Sequence, residues 1–270
     1  MVWVRRIALF PVTRLALYLL LASLGTGLLD LLLPGWAAGA AGAVLAYLAL
    51  GRWVERRSLE EIGLGRAHLV SHLLGGFALG GVMIGLAVGA LAAQGWYRVE
   101  GIAWSWPVLW SGLAGWLRVA LYEEIAARGV LFRSVEESLG SWIALGVSAL
   151  LFGLGHGLNA GATPISLLAI TLEAGILLGA AYLLTRSLWL AIGIHWGWNF
   201  VQGTLLGATV SGNPSRGMLR AVVEGPTWAT GGAFGPEAGL PALLVGTVTG
   251  VLLLARAVRA GRLRPPRWRR

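Results

Sequence analysis

Three groups of polar residues stand inside long apolar runs: Glu123-Glu124 with Arg128, His156 with Asn159 just beyond, and His195 with Asn199. Ionisable side chains are costly in such surroundings, so each needs a partner or a cavity. Glu124 and Arg128 are i, i+4 and share a helix face, where pairing keeps the carboxylate ionised. Glu123 points about 100° away and is free to face a cavity as a base. Phe152 and His156 share a face, as do His195 and Asn199. Imidazole and amide groups so placed can donate hydrogen bonds to developing charge. The plainer reading of the Glu pair is a wet helix end at an interface. Adjacent carboxylates in an apolar span, however, need more compensation than a single Arg supplies. A lone His is more often a satisfied core residue than a catalyst, but two on different spans, each with an i, i+4 companion, are harder to dismiss.

The elements that must carry these residues follow from composition. Of 270 residues, 57% are hydrophobic and 12% charged, outside the range of water-soluble folds. Apolar stretches near twenty residues recur along the chain, each long enough to cross a hydrocarbon core of about 30 Å. The expected class is all-α, a polytopic transmembrane bundle of about eight spans forming a single membrane domain over 1–270. The spans are read at 7–33, 37–54, 72–94, 107–138, 141–157, 165–184, 188–210 and 239–258. Arg5 and Arg6 precede a first helix read as retained rather than cleaved.

Net charge is +9, but every basic residue is Arg and most lie in short connections or in the tail. That pattern points to topology and lipid headgroups rather than nucleic acid. It predicts cytoplasmic termini, a basic cytoplasmic tail at 259–270 and a non-cytoplasmic loop, rich in Gly and Pro, at 211–241. The segment Glu55–Ser71 reads as an amphipathic stretch in the interface, with His68 and His72 as solvated neighbours rather than metal ligands. The chain has no Cys, which removes thiol nucleophiles and thiolate metal sites. Gly and Ala within the spans are expected to serve close helix packing.

Depth can be counted along the helices. Glu123 and His156 each lie roughly fifteen residues, about 22 Å, from the turn near Gly140, and so at matching depth. His195 is only about nine residues, about 14 Å, from the turn at Arg186 and meets them only if that turn is recessed or its span tilted. Glu173, the lone charge of its span, either lines the cavity or pairs with Arg118, and the pairing is the preferred reading.

Taken in order, Glu123-Glu124-x-x-x-Arg128, Phe152-x-x-x-His156 and His195-x-x-x-Asn199 resemble the three signature motifs of the CAAX prenyl endopeptidase and bacteriocin-processing family of intramembrane proteases. Tyr122 before the Glu pair, Arg128-Gly129-Val130-Leu131 after it and Ser187-Leu188-Trp189 before His195 fit as well, so the resemblance covers 122–200. Ala126-Ala127 departs from it, since relatives commonly carry bulkier apolar residues there.

The resemblance implies hydrolysis of a peptide bond by activated water. In it Glu123 is the base, His156 positions or polarises the water, Glu124 with Arg128 holds the site in register, and His195 and Asn199 stabilise the oxyanion. The family is described both as metalloproteases and as glutamate-dependent enzymes. Zinc held by Glu123, His156 and His195 is therefore the rival within it. The implied partners are a peptide or protein substrate at the membrane and the lipid bilayer, and the compact chain points to a bacterial plasma membrane.

Two readings from other classes stand beside the protease: a catalytically silent immunity or scaffold protein of the same fold, and a transporter or proton relay. Retention of all six signature residues favours an enzyme. An aspartyl dyad is excluded because Asp30 is the single Asp, a His-Glu-x-x-His site is absent, and Ser148 lacks the glycine setting of a rhomboid serine.

Overall fold

The structure is a computed structural model in which residues 10–267 are described. Arg5, Arg6 and the last three tail residues lie outside that range. The chain is 71% helical. Six helical stretches are long and apolar enough to cross a membrane among the described residues. They are Pro11–Leu29, Ala37–Glu55, Leu69–Ala93, Trp106–Gly155, Pro164–Thr185 and Leu240–Arg259. The longest is two helices joined at Gly140, whose φ of 80° breaks the run. The helix beginning at Leu188 is diluted by its own polar residues. With these two, the eight expected spans each find a helical counterpart.

In chain order the helices are α1 (Pro11–Leu29), α2 (Gly35–Ala49), α3 (Leu69–Ala93), α4 (Trp106–Glu124), α5 (Arg133–Gly155), α6 (Pro164–Ile170), α7 (Leu177–Thr185), α8 (Leu188–Asn199), α9 (Thr227–Thr230) and α10 (Leu240–Arg259). Starts are set locally. Ser105 Oγ accepts the Val108 N–H ahead of α4, with Pro107 in the first turn. Thr163 and Ser166 form a reciprocal capping box at α6. Leu, Val and Trp side chains stay exposed on the outside of the bundle, including Leu28, Leu31, Trp53, Val82, Leu86, Leu151 and Val248, as a lipid-facing surface requires.

Four π-helical turns interrupt the bundle: Leu50–Glu55, Ile125–Phe132, Thr171–Ile176 and Phe200–Leu205. Three of them adjoin the polar residues singled out above, where such turns commonly occur. Close packing of α3 on α8 supplies the other positioning device. Gly76 and Gly80 face Gly193 and Gly197, a small-xxx-small pair on each side. A Cβ at Gly80 would fall 2.0 Å from the Ile194 carbonyl oxygen, and one at Gly197 2.0 Å from the Phe77 carbonyl oxygen. His195 therefore sits on a helix whose backbone is fixed on both sides of it.

Two sequence expectations change. The segment after Glu55, expected as an amphipathic stretch in the interface, packs partly into the bundle. It is a string of turns that buries Ile62 and Leu64 in the main core and offers the Gly63 carbonyl to the Leu188 N–H at 2.9 Å. The loop at 211–241 is less irregular than its composition implies. Its strand β2 (Leu219–Val223) pairs antiparallel with β1 (Tyr97–Ile102), and α9 and a 3-10 turn at Pro236–Ala238 follow. Tyr97 anchors the strand pair by donating its hydroxyl to the Leu206 carbonyl at 2.7 Å.

Candidate active site

The site is built around one fully buried ion pair. Arg128 Nη1 donates to Glu124 Oε1 at 2.8 Å, and neither side chain is exposed. Arg128 Nη2 donates to the carbonyls of Ala174 at 3.3 Å and Gly175 at 3.0 Å, in the π-turn between α6 and α7. Its guanidinium carbon lies 4.4 Å from the centre of the Phe152 ring. One Arg thus ties α4, α5 and the α6–α7 junction together, with hydrogen bonds and ring stacking that offset part of the cost of burying the charge.

Glu124 also fixes the first histidine. His195 Nδ1 is 3.0 Å from Glu124 Oε1, and since a carboxylate only accepts, Nδ1 carries the hydrogen. His156, at the C-terminal end of α5, places Nδ1 2.8 Å from the Phe152 carbonyl, and the same argument makes that nitrogen a donor. Both imidazoles therefore turn Nε2 inward. Each Nε2 lies 3.9 Å from Glu123 Oε2, an oxygen that has no hydrogen-bond partner among the described residues. That separation is too long for a direct bond and suits a water bonded to both atoms.

Glu123, His156, His195 and Asn199 line a cavity of about 720 Å³ together with Arg118, Tyr122, Phe152 and Ser211. The Glu123 side chain is about a third exposed to it, whereas Glu124 is sealed off. Asn199 ends α8 just before a π-turn, and its side chain makes no hydrogen bond among the described residues, leaving the amide toward the cavity. Behind the histidines is a second chamber of about 40 Å³, room for a water, walled by Glu173, Trp198, Ser211 and Glu237. Ser211 Oγ donates to Glu237 at 3.0 Å, and burial pushes that loop carboxyl up to about 7.

All six signature residues thus meet in one place. The open question of His195 resolves through its turn. Leu188 is fully buried beneath the Gly63 segment, and Arg186, in the left-handed region, reaches Glu136 at 2.7 Å. The turn is recessed, and the short count from Arg186 still reaches the depth of Glu123.

Glu173 is not paired with Arg118, contrary to expectation. It faces Gly246 of α10 and the second chamber, while Arg118 opens on the large cavity. A charge count along helices does not distinguish these faces. Ser148 Oγ donates to the Ala127 carbonyl at 3.0 Å, a packing role. His68 and His72 stack with ring centres 5.2 Å apart, with His68 exposed. Ser211 and Asn213 of the cavity wall were invisible in the sequence because they come from the loop.

Zinc can be tested against the donor set. Two imidazoles and a carboxylate are suitable ligands, but the 3.9 Å separations exceed by about half an ångström the roughly 3.4 Å edge of a tetrahedral site. Among the described residues no group of three or more His, Cys, Asp or Glu is placed to hold a metal ion.

Residues 104–201 match the family model described as type II CAAX prenyl endopeptidase Rce1-like. No match was found among curated proteins or solved structures. The matched stretch runs from the residue before Ser105 to the π-turn after Asn199 and contains all six signature residues. The segment that builds this cavity is thus similar to the Rce1-like type II CAAX prenyl endopeptidases.

Proposed function

We propose that the chain is an intramembrane endopeptidase in which Glu123 activates a water held between its carboxylate and the imidazoles of His156 and His195. Glu123 Oε2 takes a proton from that water as its oxygen attacks the scissile carbonyl carbon. The carbonyl oxygen becomes an oxyanion, toward which the free Asn199 amide and a protonated Nε2 of His195 can donate. The C–N bond then breaks, and the leaving amine takes the proton from Glu123. Glu124 with Arg128 does not react. It orients His195 with Nε2 toward the cavity and keeps α4 in register with α5.

What supports the reading most is one juxtaposition. Glu123 Oε2 is unpartnered and stands equidistant, at 3.9 Å, from two inward Nε2 atoms on the wall of an open cavity. A carboxylate serving structure alone would be paired, as Glu124 is. The substrate is a peptide or protein segment at the membrane, and the bilayer is the solvent of the fold.

The test is digestion of a peptide library by the purified full-length protein in H₂¹⁸O, with products read by mass spectrometry. The expected result is one ¹⁸O at each new C-terminus, loss of cleavage in Glu123→Gln, and turnover that persists in a zinc chelator. Cleavage that a chelator stops and added zinc restores would move the chemistry to a metal.

A further inference from the structure

Arg118 is a guanidinium without a counter-charge. It lies twelve residues into α4, about 18 Å along the helix from Trp106, within one of the long apolar stretches. Among the described residues no carboxylate pairs with it, and its guanidinium makes no hydrogen bond. An unpaired Arg in such a stretch is costly unless a cavity or a ligand serves it.

The fold gives it both space and direction. Its stem lies along α2 at Gly39, where a built Cβ would come 2.8 Å from Arg118 Cδ. Residue 39 must therefore stay small for the arm to keep its course. The residue is exposed and lines the same cavity as Glu123, His156 and His195, beside Trp116 and Tyr122. The Arg residues buried in the bundle are paired, among the described residues: Arg14 and Arg133 with Glu55, and Arg128 with Glu124. Arg118 alone brings a positive charge to the cavity wall that bears Glu123.

We infer that Arg118 is a specificity subsite that holds a carboxylate of the substrate peptide, either its C-terminus or an acidic side chain, close to the bond being cut. The inference rests on the peptidase reading above. A guanidinium binds carboxylate through paired, charge-assisted hydrogen bonds. Arg118 is five residues from Glu123, about 7.5 Å along the helix, which is little more than two residues of extended peptide. A lipid phosphate is the less apt occupant, because headgroups lie at the bilayer surface, well away from mid-helix depth.

The experiment compares matched peptides that differ in one carboxylate: free acid against C-terminal amide, and Asp or Glu against Asn or Gln within the chain. Cleavage by the full-length protein should favour one carboxylate member of a pair roughly tenfold or more. Arg118→Gln should bring that ratio close to one, and Arg118→Lys should restore part of it. The acid–amide arm and the side-chain arm identify which carboxylate is held. Binding of the same labelled peptides to Glu123→Gln, with and without Arg118→Gln, reads the subsite independently of turnover, so failure of the peptidase reading leaves the subsite testable. Equal handling of both members of every pair by the parent protein, or a ratio unchanged by Arg118→Gln, would overturn the inference.

Discussion

Two ionic clusters lie inside this bundle, and they differ in what they leave unpaired. At the start of α5, Glu55 meets Arg14 at 3.4 Å and Arg133 at 2.5 Å, while Glu137 meets Arg14 and Arg57 at 2.8 Å each. Both carboxylates have two Arg partners at least, and none of these residues lines the large cavity. The other cluster has a single Arg for two adjacent carboxylates. Arg128 satisfies Glu124, and Glu123 is left facing two imidazoles, each at 3.9 Å, with no direct hydrogen bond to either. The first arrangement ties spans together. The second also ties spans together, but through one carboxylate, and it leaves the other on the cavity wall. In this chain the informative observation is thus a Glu beside a sealed ion pair whose own carboxylate faces a cavity with no Arg paired to it among the described residues.

Removing the central Arg from each cluster should separate the two roles most widely. Arg128→Ala strands Glu124 in the core and releases His195, so both stability, by about 3–5 kcal/mol, and peptidase activity should fall. Arg133→Ala should cost stability of the same order while turnover per folded molecule changes little. Thermal unfolding of the detergent-solubilised proteins together with active-fraction-corrected rates checks both. Equal activity losses would erase the distinction.

The sequence disclosed the second cluster better than the first, for a physical reason. Glu123, Glu124, His156 and His195 interrupt long apolar runs, and neighbouring spacing put Glu124 and Arg128 on one face. Arg14, Glu55 and Arg133 come from distant helices near span ends, where charge reads equally well as topology. Fold class and helix positions were legible from run length. The π-turns were not, because they shift phase without a compositional signature, and the β1–β2 pairing spans more than a hundred residues. Glu173 and Arg118 were misassigned to each other because helical periodicity gives a face only relative to its own helix.

A smaller effect should come from backbone spacing. Gly80→Leu forces α3 away from α8, where a Cβ would meet the Ile194 carbonyl at 2.0 Å. Overpacking of this kind costs typically about 1–3 kcal/mol. Because His195 lies between Gly193 and Gly197, activity should fall with stability. Unimpaired turnover in that variant would show that the histidine is positioned by Glu124 alone. The smallest effect belongs to the exposed pair Arg98–Glu224 at 2.7 Å on the strand pair, where Arg98→Ala should change stability by less than about 1 kcal/mol and leave cleavage unchanged.

The central claim is that the unpaired carboxylate, and not the paired one, does chemistry. It is tested most directly by measuring turnover and unfolding temperature side by side for Glu123→Gln and Glu55→Gln. Glu123→Gln should lose about 10²–10⁴-fold in rate, the range of a general base, with an unfolding temperature close to that of the parent. Glu55→Gln should unfold at a clearly lower temperature yet keep its turnover when folded. Near-parental turnover in Glu123→Gln would contradict the account.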